Sequence, residues 1–177
     1  PLLMAWLWIA GGIWFYFKRE HRQDHFPEPS DEGCSIVIPC FNEEEQVRRT
    51  IKFAMQSQYP EFEVIAVNDG SQDRTAAILD KLAMQYPKLR VVHLAENQGK
   101  AYALRAGAMV SRYEFLVCID GDALLHPHAV FWMMHQLTSF PRVGAVTGNP
   151  RIINRSSVLG KIQVGEFSSI IGLIKRA

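Results

Sequence analysis

The fold is decided by residues 62–95, FEVIAVNDGSQDRTAAILDKLAMQYPKLRVVHLA. The stretch opens on an apolar run, breaks at NDGS, and continues as a helix candidate over 73–86 that stops at Pro87. A second apolar run follows, LRVVHLA. Strand, helix and strand within so short a span make a crossover unit that joins two parallel strands. Both apolar runs lack clean polar alternation, as expected of strands covered on both faces.

The pattern extends in both directions. SIVIPC (35–40), EFLVCID (114–120) and VGAVTG (143–148) read as three further strands. Helix candidates open at Asn42, with Glu45 three residues later as in a capping box, and cover 98–110 and roughly 127–138, the last with a first-turn proline, Pro127. The expected class is α/β, a mostly parallel sheet flanked by helices with right-handed crossovers. No internal repeat or low-complexity tract interrupts it.

Composition narrows the function. Nineteen basic and 18 acidic residues leave a net charge of +1, which argues against a nucleic-acid-binding module. With 48% hydrophobic and 21% charged residues the chain is globular rather than disordered. Its three cysteines are scattered and odd in number, so no disulfide framework is implied and reduced thiols fit best. The N-terminus stands apart: residues 2–17, LLMAWLWIAGGIWFYF, hold three of the four tryptophans and no charge. Sixteen residues rise ~24 Å as a helix, short of a hydrocarbon core of ~30 Å, so we read them as the end of a longer membrane span. A buried core helix is the alternative. Lys18, Arg19 and Arg22 then mark the cytoplasmic side, and no signal-peptide cleavage pattern follows.

In an open α/β sheet, ligands bind beyond the carboxyl ends of the strands. Here those ends read PCFNE, NDGS and DGD, which brings Glu43, Asp69, Asp120 and Asp122 toward one rim. Like charges so gathered call for a cation or a donor. Asp120 and Asp122, at i and i+2 across a flexible Gly121, share a side of an extended strand and suit Mg²⁺ or Mn²⁺ with phosphate oxygens. A plain acidic turn is the competing reading of DGD. Asp73 is expected to cap the following helix, whereas Asp69 has no such duty and is free to meet a ligand. Lys100, after Gly99, could neutralise a diphosphate, but Leu94 stands where a Walker loop needs glycine. No GxGxxG, HExxH or GxSxG occurs, and His126, His128 and Cys118 lack zinc-site spacing.

The ordered set IVIPCFNE, VNDGSQDRT, NQGKAYAL, CIDGDALLHPHA and VTGNPRI resembles the family 2 glycosyltransferases over about residues 35–154. That resemblance implies the GT-A nucleotide-sugar-binding fold. The wording is most similar to the bacterial poly-N-acetylglucosamine synthases of biofilm matrix, with chitin, hyaluronan and cellulose synthases as neighbouring subgroups. Carried over by motif, Pro39 and Glu43 match the uridine cradle and Asp69 the nucleotide-binding aspartate. Lys100 matches the basic position near the nucleotide sugar, Asp120 and Asp122 the metal-holding pair, and Asn149 and Arg151 the sugar and acceptor pocket. The implied activity is inverting, metal-dependent transfer of N-acetylglucosamine from UDP-GlcNAc to a growing β-linked polysaccharide, poly-β-1,6-GlcNAc, at the bacterial inner membrane. A second processive synthase specificity and a non-catalytic nucleotide-binding regulatory module are the alternatives. A small membrane partner subunit and cyclic-di-GMP control belong to the same implication.

The family's acidic general base and QxxRW motif do not occur, so the expectation is a nucleotide-binding half without turnover of its own. Its organisation then reads as the end of a transmembrane helix (1–17), a cytoplasmic linker (18–33), the glycosyltransferase domain (34–155) and a truncated remainder with an amphipathic helix (156–177).

Overall fold

The computed structural model describes residues 2–15, 17 and 30–148. The chain divides into two compact units, Pro29–Val146 on one hand and Pro1–Glu28 with Thr147–Ala177 on the other.

The first unit is built on β1 (Cys34–Cys40), β2 (Phe62–Asp69), β3 (Leu89–Leu94) and β4 (Phe115–Cys118). They form one sheet in the order β3-β2-β1-β4, all parallel. Between and after them run α2 (Val47–Met55), α3 (Thr75–Gln85), α4 (Lys100–Val110) and α5 (Ala129–Ser139). Alternation along the strands sorts the core into two halves. Cys34, Ile36, Ile38 and Cys40 of β1, with Val64 and Ala66 of β2, pack with Val47, Ile51 and Ala54 of α2 and Leu79 and Leu82 of α3. The intervening Val37, Ile65 and Val67 pack on the other face with Ala103 of α4. Every residue of β2 is buried, so the continuous apolar run reported double coverage correctly. Burial pushes the thiols of Cys34 and Cys40 up to about 12, and all three cysteines are free.

At the N-terminal end of the sheet, Glu63 is buried on the α4 face. Its carboxylate accepts from Ser35 Oγ (2.9 Å), the Arg112 N–H (2.7 Å) and Arg90 (3.1 Å), tying the exit of α4 to the sheet. Desolvation raises its pKa and these donors lower it, and the donors prevail, holding it below the usual carboxylate range.

Three expectations need correction. VGAVTG is irregular rather than a strand: among the described residues nothing pairs with it, and Val143 is exposed. The Val143 N–H turns back to the Phe140 C=O (2.9 Å), and without a ladder partner the run has no reason to be a strand. β4 ends at Cys118, so Asp120 lies beyond it. The first helix of this unit begins at Val47, five residues after Asn42: residues 44–46 form a turn, the N-cap is Gln46, and Asn42 (φ 53°) spends its N–H and Oδ1 on Ser71 and Gln72.

In the other unit, α1 (Leu2–Phe15) carries no charged residue, and Met4, Trp6, Leu7, Ile9, Ile13 and Trp14 are all exposed. Among the described residues no helix is long and apolar enough to cross a membrane. The helix expected over 156–177 lies outside the described residues.

Candidate functional site

The site is assembled by loops at the carboxyl rim of the sheet. The loop after β1 and the loop after β2 are stitched together. The Asn42 N–H donates to Ser71 Oγ (3.0 Å), and Asn42 Oδ1 accepts the Gln72 N–H (2.9 Å). The Glu43 N–H donates to Thr75 Oγ1 (2.8 Å) and the Glu44 N–H to Asp73 Oδ2 (3.1 Å). Glu44 Oε2 in return accepts from the Arg74 N–H and Arg74 Nε (3.0 and 3.1 Å). Asp73 Oδ1 also takes the Thr75 N–H (2.9 Å) at the entrance to α3, but the N-cap position itself is Arg74 and not Asp73 as its spacing suggested.

Gly70 explains why the second loop needs glycine. Its φ is +63°, and a Cβ there would lie 2.5 Å from backbone atoms of Glu96 and Asn97. The loop after β2 therefore touches the loop before α4, and Asp69 fastens the two. Its Oδ1 accepts the Gln98 N–H and its Oδ2 the Gly99 N–H, both at 2.9 Å. Asp69 is thus not free of structural duty, as the sequence suggested. It is buried and takes the N–H groups of the two residues that lead into α4. Each carboxylate oxygen keeps a second lone pair for a ligand.

The acidic pair sits on a turn. The Ala123 N–H donates to the Asp120 C=O (3.0 Å), and Gly121 and Asp122 occupy the bend. The i, i+2 argument for an extended strand does not apply, yet the turn still brings both side chains to one cavity. Gly121 is required by proximity: a Cβ would lie 2.9 Å from the Pro39 carbonyl oxygen and 3.3 Å from Glu43 Cγ. Thr50 Oγ1 donates to the Gly121 C=O (2.7 Å) and fixes the turn from beneath.

Pro39 makes room for this turn. The Ile119 N–H reaches the Val37 C=O (3.2 Å), so Val37 faces β4, and Pro39, two residues on, faces the same way. There β4 has already ended, and the missing N–H of proline removes no ladder bond.

The result is a cavity of about 340 Å³ lined by Pro39, Glu43, Asp69, Lys100, Asp120 and Asp122 among others. Six expected site residues therefore converge; Asn149 and Arg151 lie outside the described residues. Lys100 Nζ pairs with Asp120 Oδ1. Burial, and then the charges of Asp122 and Asp73, push the Glu43 carboxyl up. No described residue donates a side-chain or backbone hydrogen bond to the Asp122 carboxylate. Asp120 and Asp122, two exposed carboxylates on one turn, are hard-oxygen donors of the kind a divalent cation takes together with phosphate or water. Among the described residues no group of three or more His, Cys, Asp or Glu side chains is placed to hold a metal ion, so the two aspartates would need oxygens from a ligand or water.

Sequence reasoning missed Thr50, Asn42, Ser71 and Thr75. Thr50 alone left a trace: it lies on the apolar stripe Val47, Thr50, Ile51, Ala54, where a hydroxyl needs a partner.

Comparison with known proteins agrees with this architecture. Over all of this chain and 44% of the relative, the sequence is 40% identical to a poly-beta-1,6-N-acetyl-D-glucosamine synthase of Staphylococcus epidermidis. The same coverage and identity hold for the synthase of that name from Staphylococcus aureus strain COL. The chain thus spans less than half the length of these curated relatives. Among solved structures, it resembles a mannosyltransferase from Pyrobaculum calidifontis in complex with GDP-Man and Mn²⁺. There the TM-score is 0.65 at 23% identity, over 86% of this chain and 47% of that one. It also resembles S. aureus TarS 1–349 in complex with UDP-GlcNAc, with a TM-score of 0.55 at 19% identity, over 69% and 41%. At such identities the likeness establishes the fold, a parallel α/β sheet of the GT-A type. The model of the family described as "Glycosyl transferase family 2" matches residues 35–167, and with three quarters of its length so matched the chain belongs to glycosyl transferase family 2.

Proposed function

We propose that this chain is the nucleotide-binding part of a membrane-bound transferase. It would move N-acetylglucosamine from UDP-GlcNAc onto a growing β-1,6-linked polysaccharide with inversion at the sugar carbon. The observation that carries this is the cavity in which Lys100 faces Glu43, Asp120 and Asp122 at the carboxyl rim. Such a charge arrangement suits a diphosphate accompanied by a divalent cation. The relatives' shared name supports the sugar and the linkage.

In this reading Pro39 and Glu43 border the uridine, and Asp69 offers its remaining lone pairs to the nucleotide. Asp120 and Asp122 would hold Mg²⁺ or Mn²⁺, which when bound supplies positive charge to the departing diphosphate. Lys100 exchanges Asp120 for a phosphate oxygen. Asn149 and Arg151 serve the sugar and acceptor side. Displacement also needs a base for the acceptor hydroxyl's proton; every described carboxylate of the cavity already has other work. The apolar, exposed α1 and the basic residues after it support a bilayer anchor with this domain on the cytoplasmic side of a bacterial inner membrane.

The test is calorimetric titration of UDP into the full chain in detergent, with and without Mn²⁺, for the wild type and for Asp122→Asn. We expect saturable binding that Mn²⁺ strengthens, and a loss of about tenfold, or ~1.4 kcal/mol, in the variant's metal-dependent affinity. A folded chain that binds no UDP with or without Mn²⁺ would overturn the reading. Tighter binding of UDP-glucose than of UDP-GlcNAc would move the assignment to another synthase of the family.

A further inference from the structure

The orientation of an amide or imidazole is ambiguous until a group that can only donate fixes it. The Ser71 N–H is such a group. It lies 3.1 Å from Asn68 Oδ1, which leaves Asn68 Nδ2 facing His93 Nδ1 at 3.1 Å. An amide nitrogen only donates, so Nδ1 must accept and carries no proton. The ring proton is then on Nε2, 2.9 Å from Asp80 Oδ1. Direction is fixed at every link: Ser71 donates to Asn68, Asn68 to His93, and His93 to the Asp80 carboxylate of α3.

This line of donors enters the site from behind. Asn68 is buried at the end of β2, next to Asp69, whose carboxylate sets the start of α4. Ser71 also accepts the Asn42 N–H with its hydroxyl. We propose that His93, as a neutral imidazole protonated on Nε2, is a positioning residue of the NDGS turn, holding Asn68 and through it Ser71 in the geometry that nucleotide binding uses. The functional consequence rests on the nucleotide-binding reading above; the tautomer and the turn geometry do not.

Two substitutions separate the halves of the relay. Asparagine can place an amide oxygen near the position of Nδ1, keeping an acceptor for Asn68 and giving up Asp80. Glutamine can place an amide nitrogen near Nε2, keeping Asp80 and giving up that acceptor. The experiment uses the full chain in detergent and reads the His93 ring ¹⁵N shifts, the exchange rate of the Ser71 amide and the affinity for UDP with Mn²⁺. We expect a bare Nδ1 in the wild type. His93→Gln should raise Ser71 exchange and weaken UDP binding by about fivefold to tenfold each, while His93→Asn stays near the wild type in both. An imidazolium or an Nδ1–H tautomer at neutral pH, or equal behaviour of the two variants, would overturn the proposal. Should His93→Gln fail to fold, the wild-type tautomer and Ser71 exchange in His93→Asn still decide it. Should the wild type bind no UDP, the nucleotide reading fails, while the ring shifts and the exchange rates still test the positioning.

Discussion

Thr50→Val exchanges one hydroxyl for a methyl at a position with no solvent exposure. The hydroxyl has one proton and two acceptors in reach, the Gly121 C=O at 2.7 Å and the Gln46 C=O at 3.3 Å, and geometry gives it to the nearer. In the variant the Gly121 carbonyl, itself buried, loses its partner, which costs about 1–3 kcal/mol. That cost has two outlets. If the turn stays, it appears as lower global stability. If the turn lifts so that water reaches Gly121, Asp120 and Asp122 leave the cavity for part of the time, and each ~1.4 kcal/mol spent on lifting weakens UDP binding about tenfold. Urea unfolding and UDP titration with Mn²⁺, run side by side, should therefore show losses that together reach 1–3 kcal/mol on this estimate. Thr50→Ser, which returns the hydroxyl, should recover the binding share. If both losses stay below about 0.3 kcal/mol, the Thr50 bond does not hold the turn and the reasoning fails.

Lys100→Met removes the cation paired with Asp120, so Mn²⁺ should bind the nucleotide-free chain more tightly, by up to about fivefold for so exposed a pair. UDP should bind the same variant more weakly, and paramagnetic titration alongside calorimetry distinguishes the two. Gly70→Ala sets a Cβ 2.5 Å from backbone atoms of Glu96 and Asn97 at a positive φ. We expect ~2–5 kcal/mol of destabilisation by urea unfolding. The Glu63 carboxyl is held below its unfolded value, so its contribution is full above the ordinary glutamate pKa of about 4.3 and is lost as pH falls through the lower folded value. Glu63→Gln should lower stability at pH 7 and flatten the decline between pH 5 and 3, on the order of that window, with UDP affinity unchanged.

The parts of this architecture legible in the sequence are those written by burial. The run of β2 lies between two helical layers, is buried at every residue and is apolar from Val64 to Val67, so its limits could be read almost to the residue. The convergence of Glu43, Asp69, Asp120 and Asp122 was legible too, because strand order and the carboxyl-rim rule place strand ends before the chain is folded. The unread parts are hydrogen bonds between distant loops. Asn42 with Glu45 has the letters of a capping box, but its backbone N–H donates to Ser71 Oγ and its side-chain Oδ1 accepts the Gln72 N–H, about thirty positions away. Asp69 looked idle because its donors, Gln98 and Gly99, lie equally far along the chain. VGAVTG has the composition of a strand, but composition does not supply the neighbour that a strand requires. Nor does an isolated histidine in LRVVHLA announce that an asparagine across the ladder fixes its tautomer.

The early end of β4 beside Pro39 has a consequence for how this site tolerates change in length. The acidic pair is placed by counting from the last rung, the Ile119 N–H on the Val37 C=O. One residue inserted between Val117 and Asp120 would shift the turn that carries the carboxylates by up to one residue's rise, ~3.3 Å, relative to that rung. Were a divalent cation held there as proposed above, such a step would carry the carboxylates out of its reach. The interval from rung to carboxylate is therefore as much a specification of the site as the aspartates themselves, and a substitution screen that never alters chain length would not reveal it.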